Sequence, residues 1–480
     1  MEEYKGERIP VLIPFLPVIF FFSTIFSYSQ ETTVTDLQKT TVPDSLETTI
    51  PEISRHIQFK KSEALRHRVR IKGSCNGIRS VNVTSDSRYL IITYEGSIPG
   101  IRIADLHQLE FLPHAYEGHT DSVRLTSITR DNEAFYTASW DGSSRRYEIA
   151  TGKCTRVLSG FGRCPSCFVD THQRYLFTAS YDSDNDLEMK NTGRCWDISS
   201  GEVIGMYKHA NQRITPEAID IAFDGSKVYT GSDDGYGYRW SIDGETPEIE
   251  YFSFKGTVRK IAVSENFFAA ACTDSIVRVH NKLTGDYYMY LKHREKDIRE
   301  VRISKDESRL WTATDNGSLS CYNLVTGDLL YHCQHHSLWI WSMCLMSDDK
   351  IVVTGSGDGS VVFLSADTGQ VLAQLFNVPG DNDFLIICPP DVAFPTGFFF
   401  ASDKDFIEVI AGSQKEHAGE ILKNNDPRRS SYIEKLNMKN VVITRLKNDG
   451  NYNSLATNYL NNKELHRRLR GNQLPLLLKP

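Results

Sequence analysis

The sequence lacks the short motifs that identify common catalytic sites. It contains no Gly-x-Ser-x-Gly elbow, no His-Glu-x-x-His pair and no Walker phosphate loop. Ten cysteines in 480 residues are also too sparse for a disulfide scaffold. These absences exclude no reaction, but they remove the reason to propose a particular enzyme or a small disulfide-stapled fold.

The sequence also lacks an overall excess of positive charge. Its formal net charge is -7, which argues against nucleic acid as a partner because phosphate binding needs a concentrated basic surface. The charge is uneven, since residues 403–480 carry 14 Lys and Arg against 9 Asp and Glu. This basic tail either docks on the acidic remainder of the chain or contacts an anionic surface.

An apolar run stands near the N-terminus. Residues 9–27, IPVLIPFLPVIFFFSTIFS, carry no charge, and small residues follow where a signal peptide would be cleaved. We therefore predict a signal peptide or N-terminal anchor at 1–29, which implies export to the periplasm, cell envelope or medium, or membrane attachment through residues 9–27. The preceding MEEYKGER departs from this pattern, because it holds three Glu against one Lys and one Arg. The Thr-rich residues 30–56 predict a flexible linker.

A repeat of about forty residues is the strongest signal in the chain. Stretches such as KVYTGSDDGYGYRW, RLWTATDNGSLSCYN and KIVVTGSGDGSVVFL share an apolar strand, a small hydroxyl residue, an Asp/Asn-Gly turn and an alternating strand. A second turn follows each time, with glycines at 152, 201, 244, 285, 327 and 369. A first unit around SRYLIITYEG gives seven units in all. Seven such sheets, packed radially, cover one another's faces.

These units resemble WD repeats, a family whose blades are tied together by hydrogen bonds among a histidine, a hydroxyl residue, a turn aspartate and a tryptophan. Residues 378–480, with further strands and helices, predict a small mixed α/β C-terminal extension, a basic module, which docks on the propeller or pairs with residues 57–72 as an extra partial blade. The resemblance implies an all-β fold, a seven-bladed WD-repeat-like β-propeller over residues 57–377. It assigns the following residues to the structural hydrogen-bond network: His119, Ser139, Asp141 and Tyr147 in the second unit; Ser232, Asp234 and Trp240 in the fourth, with His209; and His336, Ser356 and Asp358 in the seventh. The fifth unit departs furthest, with Cys272 in the hydroxyl position and His280 in the tryptophan position.

An acidic stretch, YDSDNDLEMKNTGRCWD, begins in the third unit at residue 181. The distance from Ser180 to Trp196 is eight residues longer than the corresponding distance in the second and fourth units, so we predict a lengthened hairpin turn. Asp182, Asp184 and Asp186 have the alternating spacing of a calcium loop. However, Leu187 stands where that loop needs Gly, and Gly193 stands where it needs Glu. A solvated hairpin, a partner-recognition loop and a calcium site remain open.

Two further clusters have metal-like spacing. Cys164 and Cys167, in RCPSC, are predicted to be packed core residues because no second cysteine pair accompanies them. The stretch HCQHH, from His332 to His336, falls on a connection between blades, and His336 already has its place in the network. We predict no cofactor at either cluster.

The combined prediction is a non-catalytic interaction scaffold, exported or membrane-attached, that binds a protein or peptide partner. Nucleic acid is not predicted as a partner, and a membrane is predicted only through an uncleaved N-terminal segment. The alternatives are a propeller enzyme such as a quinoprotein-type dehydrogenase, or a calcium-stabilised propeller that binds small ligands. The first is disfavoured because the positions after the turn glycines lack the tryptophan that quinoprotein repeats carry.

Overall fold

The computed structural model describes residues 67–71, 76–96, 100–184, 188–209, 219–244, 246–251, 256–293, 297–346, 348–377, 384–389, 398–402, 407–411, 420–422 and 439–447. Seven antiparallel sheets follow one another along the chain, and in each the successive strands are neighbours. The predicted seven-bladed all-β propeller is confirmed.

The strands have the following bounds. β1 (His67–Ile71) precedes the blades. Blade 1 is β2 (Ile78–Val83), β3 (Tyr89–Tyr94), β4 (Ile101–Asp105) and β5 (Glu110–Phe111). Blade 2 is β6 (Val123–Ile128), β7 (Ala134–Ser139), β8 (Ser143–Glu148) and β9 (Cys154–Ser159). Blade 3 is β10 (Arg163–Val169), β11 (Tyr175–Asp184), β12 (Glu188–Asp197) and β13 (Val203–Lys208).

Blade 4 is β14 (Ile219–Phe223), β15 (Val228–Ser232), β16 (Gly237–Trp240) and β17 (Pro247–Tyr251). Blade 5 is β18 (Val258–Val263), β19 (Phe267–Cys272), β20 (Ile276–Asn281) and β21 (Tyr287–Lys292). Blade 6 is β22 (Ile298–Ile303), β23 (Arg309–Thr314), β24 (Ser318–Asn323) and β25 (Leu329–Gln334). Blade 7 is β26 (Ile340–Leu345), β27 (Ile351–Ser356), β28 (Ser360–Ser365) and β29 (Val371–Asn377), followed by β30 (Phe384–Cys388) and β31 (Phe398–Ala401). Beyond them lie β32 (Ile407–Ala411), β33 (Glu420–Leu422) and helix α1 (Lys439–Lys447).

The repeated glycines mark the turn between the third and fourth strand of blades 2 to 7. All six have φ between 68° and 79°, a left-handed conformation that glycine adopts without a Cβ clash. The same turn in blade 1 has Leu109 at φ 49°. The spacing of these glycines is therefore a direct consequence of turn geometry, which is why it predicts the number of blades.

The core is divided among the contacts between blades. Each pair of neighbouring blades encloses a cluster of buried apolar side chains, including the pair formed by blade 7 and blade 1. For example, Phe177 and Trp240 belong to the cluster between blades 3 and 4. Because a sheet of four short strands cannot cover both of its own faces, each blade depends on its two neighbours.

The ring closes where blade 7 meets blade 1. The backbone N–H of Val81 donates to Ser342 Oγ at 3.1 Å, and the same hydroxyl lies 3.3 Å from the Val81 carbonyl oxygen. Phe111 of blade 1 packs edge-to-face on Phe384 of β30, with ring centroids 5.2 Å apart.

The C-terminal region extends blade 7. β30 pairs with the outer strand β29, β31 pairs with β30, and Val442 and Leu446 of α1 join the same apolar cluster. The predicted boundary at 377/378 therefore falls within one sheet, because the apolar strand FLIIC can bury its side chains on the free edge of blade 7. Separately, β1 pairs with β32 and β32 with β33 in a three-stranded sheet.

Among the residues that the structure describes, no helix has both the length and the hydropathy needed to span a membrane. The predicted signal or anchor at residues 9–27 lies outside those residues.

Candidate functional site

The innermost strands of five blades carry a bulge at the same place. The pairing of β2, β6, β18, β22 and β26 with the next strand shifts register between the first and third residue of the inner strand. The extra residue in each case is Arg79, Arg124, Arg259, Arg299 or Trp341. A bulge turns one side chain away from the regular pleat and often does so beside a binding site. The five side chains line one cavity at the centre of the ring.

We call four of these residues the arginine arc: Arg259 on blade 5, Arg299 on blade 6, Arg79 on blade 1 and Arg124 on blade 2. Trp341, on blade 7, stands between the two pairs. The guanidinium carbons of Arg79 and Arg299 stand 3.9 and 4.2 Å from the centre of the Trp341 ring, and that of Arg124 stands 5.4 Å away. Each distance is within the range of a cation–π interaction. The indole ring of Trp341 therefore lies beside three guanidinium groups.

The arc lies at the mouth of the channel, beside the turns that join the second and third strands of the blades. Glu95, in that turn of blade 1, pairs with Arg79, and Asp315, in that turn of blade 6, pairs with Arg299. Arg79 is only 9% exposed at its side chain and Arg299 is 14% exposed. The mouth is thus partly shielded from water, and its charges are less screened than those on an open surface.

The cavity has a volume of about 560 Å³, including the part that is open to solvent. Its lining contains five Arg or Lys residues and two Asp or Glu residues. Near the mouth, burial and the neighbouring Asp315 raise the pKa of Asp297 above its usual range. Basic residues outnumber acidic residues in the lining.

Both acidic residues of the lining have cationic partners. Lys260 Nζ is 3.2 Å from Asp220 Oδ1, and Ser166 Oγ donates to the same oxygen at 2.6 Å. Glu300 is paired with Arg302 at 2.9 Å, and burial raises the pKa of Glu300. These carboxyl groups form a polar layer below the arc.

Three indole N–H groups near the mouth have no hydrogen-bond acceptor. The Nε1 atoms of Trp140, Trp339 and Trp341 are buried without a partner. Trp339 and Trp341 contact each other edge-to-face at 5.7 Å, and Arg124 lies 4.2 Å from the centre of the Trp140 ring. A buried donor without an acceptor costs about 1–3 kcal/mol, so these groups favour a ligand that supplies acceptor atoms.

In blade 4, four side chains form an unbroken chain of hydrogen bonds. Trp240 Nε1 donates to Thr230 Oγ1 at 2.8 Å, Thr230 Oγ1 is 2.9 Å from His209 Nε2, and His209 Nδ1 is 2.9 Å from Asp234 Oδ2. If the proton sits on Nδ1, each donor in this chain has one acceptor. His209 and Asp234 are fully buried at their side chains.

Blade 2 has the same arrangement with one link changed. His119 Nδ1 is 2.7 Å from Asp141 Oδ2, and His119 Nε2 is 2.7 Å from Thr137 Oγ1. Tyr147, in the tryptophan position, donates instead to the Glu117 carbonyl at 2.8 Å. Burial raises the pKa of Asp141, but the hydrogen bonds from His119 and Ser143 outweigh it and hold that pKa well below its usual range.

In blade 7 the network has no tryptophan, and Ser360 Oγ lies 3.1 Å from His336 Nδ1. His336 Nε2 is 2.9 Å from Thr354 Oγ1, and His336 Nδ1 is 3.3 Å from Asp358 Oδ1. Leu364 occupies the tryptophan position, since it pairs with Val352 as Trp240 pairs with Val228. The apolar side chain contributes packing and no hydrogen bond.

The hydroxyl residue that contacts each histidine differs from the sequence assignment. The structure places Thr137, Thr230 and Thr354 on the imidazoles, each two positions before the assigned Ser139, Ser232 and Ser356 respectively. Residues i and i+2 of a strand face the same side, so the sequence pattern fits both.

The serines make other bonds. Ser139 Oγ donates to the Asp121 carbonyl at 3.0 Å, and Ser356 Oγ donates to the Trp339 carbonyl at 2.9 Å. Ser232 Oγ donates to Asp233 Oδ1 at 3.2 Å. In blades 2 and 7 the serine thus joins the turn to the connection that enters the inner strand.

The acidic stretch of blade 3 is a lengthened hairpin. β11 and β12 remain paired as far as Asp184 and Glu188, so the two strands extend beyond the neighbouring blades on the face that carries the channel mouth. Asp186 and the side chains of Asp182 and Asp184 lie outside the described residues, so the calcium site stays a prediction.

The cysteine pair lies in the core, and two members of the histidine cluster make local hydrogen bonds. Cys164 and Cys167 are buried in the cluster between blades 2 and 3, and burial raises the pKa of the Cys167 thiol to about 12. His335 Nε2 contacts the Gly369 carbonyl at 3.0 Å, whereas His332 Nδ1 contacts Ser320 Oγ at 3.0 Å. Across the part of the chain that the structure describes, no three His, Cys, Asp or Glu side chains converge as metal ligands.

Sequence reasoning missed the arginine arc. A signal for it is present, because four inner strands begin with an apolar residue followed by arginine: IRSVNV, VRLTSI, VRKIAV and IREVRI. The fifth, IWSMCL, has tryptophan at that place. A recurrent charged residue in an otherwise buried strand marks the position that the bulge turns into the channel.

Comparison with known proteins gives the same architecture. Residues 327–363 match the family described as WD domain, G-beta repeat. The chain is 22% identical over 257 residues to the human F-box/WD repeat-containing protein 10. This alignment covers 45% of this chain and 24% of that protein. It is also 22% identical over 257 residues to the human F-box and WD repeat domain containing protein 10B, covering 45% of this chain and 34% of that protein.

A third relative is the mouse F-box/WD repeat-containing protein 10. It is 29% identical over 100 residues, which are 19% of this chain and 10% of that protein. The chain thus spans about a third or less of the length of these curated relatives.

Proposed function

We propose that this chain, a member of the WD-repeat β-propeller family, acts as a non-catalytic scaffold that holds a protein or peptide partner on the face carrying the channel mouth. The observation that supports this most is the set of five bulges that turn four arginines and a tryptophan toward one opening. A rigid ring of closely packed blades is well suited to hold such side chains in fixed positions.

The thiol chemistry of the described residues supports a non-catalytic role. Burial raises the pKa of Cys167, Cys272 and Cys321 to about 12 each. A nucleophilic cysteine needs a lowered pKa and access to solvent, and these thiols have neither. The polar networks of blades 2, 4 and 7 likewise satisfy one another inside the blades, as structural groups do.

The lengthened hairpin of blade 3 belongs to the proposed partner face. Its paired strands extend to Asp184 and Glu188 beyond the level reached in the other blades, on the side of the turns that hold Glu95 and Asp315. Long exposed loops carried by a rigid scaffold often contact partners. Deleting residues 183–190 should therefore weaken partner binding and leave the melting temperature nearly unchanged.

We place the protein outside the cytoplasm or on a membrane. The support is the uncharged run at residues 9–27 followed by a Thr-rich linker. N-terminal sequencing of protein purified from its native cell would test this: a mature start after Ser29 supports cleavage, and retention of residues 9–27 in a membrane fraction supports an anchor. An intact N-terminus in the soluble cytoplasmic fraction would contradict both.

Cross-linking in native cell envelopes would test the scaffold. We expect partner cross-links to map to the mouth face, including the blade 3 hairpin, and to decrease in the 183–190 deletion. Cross-links confined to the opposite face would contradict the proposal. A visible cofactor absorbance in the purified chain would instead favour the quinoprotein-type alternative.

A further inference from the structure

We propose that Asn316 is an N-glycosylation site and that Asn82, which has the same acceptor pattern, is not. This inference rests on the proposed export of the protein, because the modification belongs to secreted chains. It places a sugar on the face that carries the channel mouth.

The acceptor pattern occurs twice in the sequence. It consists of Asn, any residue except proline, and Ser or Thr, and it is present as NVT from residue 82 and as NGS from residue 316. A pattern this short also arises by chance, so the surroundings of each asparagine decide. The attached sugar is bulky and hydrophilic, so the carrier Nδ2 atom must face solvent in the folded protein.

Asn316 lies in the turn between β23 and β24 of blade 6, and the residue is exposed. Its Oδ1 atom accepts hydrogen bonds from the Ser318 N–H at 3.0 Å, the Ser318 hydroxyl at 2.6 Å and the Thr314 hydroxyl at 2.6 Å. The backbone N–H can only face oxygen, which fixes the orientation of the amide. The Nδ2 atom has no hydrogen-bond partner among the residues that the structure describes.

The corresponding turns of blades 2 and 7 show which atom the turn needs. Asp141 Oδ1 accepts from the N–H and the hydroxyl of Ser143 at 2.9 and 2.6 Å, and its Oδ2 contacts His119. Asp358 Oδ1 has the same pair of bonds at 3.0 and 2.6 Å, and its Oδ2 accepts a backbone N–H at 3.0 Å. Only in Asn316 is the second atom a nitrogen in an exposed residue, so the turn is closed through Oδ1 and leaves Nδ2 available.

The chemistry of the modification preserves this turn. The co-reactant is a lipid-linked oligosaccharide diphosphate. Nδ2 forms a bond to the anomeric carbon of the sugar and loses one proton to a base, while the bond from that carbon to the diphosphate oxygen breaks and the diphosphate leaves with the electron pair. The product is still an amide whose Oδ1 accepts hydrogen bonds. The bonds from Ser318 and Thr314 therefore persist after glycosylation.

Asn82 stands in the opposite environment. It lies on the inner strand β2 and is half-buried. Its Nδ2 donates to the Thr126 carbonyl on the inner strand of blade 2 at 2.9 Å, and its Oδ1 accepts from the Val83 N–H at 3.1 Å. A sugar on this nitrogen would have to enter the contact between two inner strands, where closely packed groups leave no room for it.

The position of Asn316 also bears on the partner. The preceding residue, Asp315, pairs with Arg299 at the channel mouth, so the sugar stands at the blade 6 edge of the mouth face. The lengthened hairpin of blade 3 is three blades away around the ring. The sugar therefore leaves that hairpin accessible to a partner.

The test uses the full chain with its own N-terminus, produced in cultured mammalian cells. A second version carries a secretory signal peptide of known function in place of residues 1–29. Each is treated with peptide-N-glycosidase F, which removes the sugar and leaves aspartate at the carrier position. Gel mobility and peptide mass spectrometry read the result, and circular dichroism and melting verify folding.

The variants are Asn316→Asp and Asn323→Asp. The first keeps an Oδ1 acceptor, as Asp141 does in blade 2, and removes only the carrier nitrogen. The second makes the same change in another turn of blade 6, where Asn323 Oδ1 accepts two backbone N–H groups and no acceptor pattern is present. We expect a glycosidase-sensitive shift in the wild type and in Asn323→Asp, and its loss in Asn316→Asp. Mass spectrometry should find the conversion at residue 316 and none at residue 82.

Two results would overturn the inference: a folded, secreted chain without a sugar on Asn316, or a folded chain with a sugar on Asn82. The export proposal fails separately. A sugar on Asn316 only in the version with the exchanged signal peptide, with the native version unmodified in the cytoplasm, contradicts export and leaves the site standing. Cleavage after Ser29 or membrane retention without any sugar on Asn316 does the reverse.

Discussion

Blades 4 and 5 are neighbours with the same strand pattern, yet they satisfy the same turn aspartate in different ways. In blade 4, Asp234 is held by His209, which reaches it from the connection that enters the blade. In blade 5, Asp274 is held by Arg278 of the same hairpin, with hydrogen bonds of 3.0 and 2.6 Å. The partner of the turn aspartate is thus distant in the sequence in blade 4 and close in the sequence in blade 5.

The rest of blade 5 has adjusted to the local solution. Ala270 pairs with Arg278 in the register where Thr230 of blade 4 pairs with Tyr238. Alanine needs no hydrogen-bond partner, so no buried hydroxyl is left over. His280, in the tryptophan position, contacts the Gly285 carbonyl at 3.2 Å instead. The comparison teaches that the same turn aspartate can be held by different partners, so a blade does not require one particular set of residues.

Replacing the histidine should separate the two blades most clearly. His209→Leu removes the partner of the fully buried Asp234 and of Thr230, and breaking such a buried pair costs about 3 kcal/mol or more. His280→Leu in blade 5 removes a bond to one carbonyl and should cost about 1 kcal/mol. Equilibrium chemical denaturation measures both variants. Equal losses would show that the network of blade 4 carries no special stability.

The local solution in blade 5 should also fail when its cation is removed. Arg278→Leu leaves Asp274, whose side chain is 18% exposed, without its guanidinium, and we expect a loss of about 2 kcal/mol.

Adding Asp274→Ser to Arg278→Leu should recover part of that loss, because the stranded carboxylate is removed as well. Denaturation midpoints of the single and double variants test this. If the double variant is no more stable than Arg278→Leu alone, the carboxylate is not the source of the loss.

A third prediction concerns the hydroxyl of blade 4. Thr230→Val keeps the shape of the side chain but removes the acceptor for Trp240 and the contact with His209, which should cost about 1–2 kcal/mol. Ser232→Ala, two residues later, removes the hydrogen bond to Asp233 and leaves the bonds among Trp240, Thr230 and His209 in place, so it should cost less than Thr230→Val, about 1 kcal/mol. Thermal melting of the two variants compares them directly. A larger loss for Ser232→Ala would restore the serine as the linking residue.

This pair of residues shows where sequence reasoning reaches its limit. The turn glycines predict the number of blades because positive φ admits few other residues. The choice between Thr230 and Ser232 is different, since both point to the same side of the strand and both can donate a hydrogen bond. Only the three-dimensional distance to His209 distinguishes them.

Two other features depended on contacts distant in the chain. The end of the repeat predicts a domain boundary at residue 377. In the structure, β30 pairs with the free edge of β29 because Phe384 and Ile386 pack into the apolar cluster between blades 7 and 1. The arginine arc was overlooked because each arginine alone resembles a solvated strand residue. The arginines form a cluster only because the ring brings residues between 79 and 341 of the sequence to one cavity.

The smallest expected effect extends the comparison to blade 2 and concerns acid. Burial raises the pKa of Asp141, but hydrogen bonds from His119 and Ser143 prevail and lower it. Because its pKa is lower in the folded chain than the unfolded value of about 4, this carboxylate stabilises the fold above that pH, and the contribution is lost as pH falls through the folded pKa. Asp141→Asn should therefore be less stable than the wild type at neutral pH, and the difference should shrink in acid.

Denaturation curves of wild type and Asp141→Asn, collected from neutral pH to below about pH 3, measure that difference. Asp358→Asn in blade 7 should behave alike, because its pKa is lowered too: burial raises it, and the charge and hydrogen bond of His336 outweigh burial. A stability difference that stays constant or grows toward low pH would show that the histidine, rather than the carboxylate, controls the acid response of the network blades.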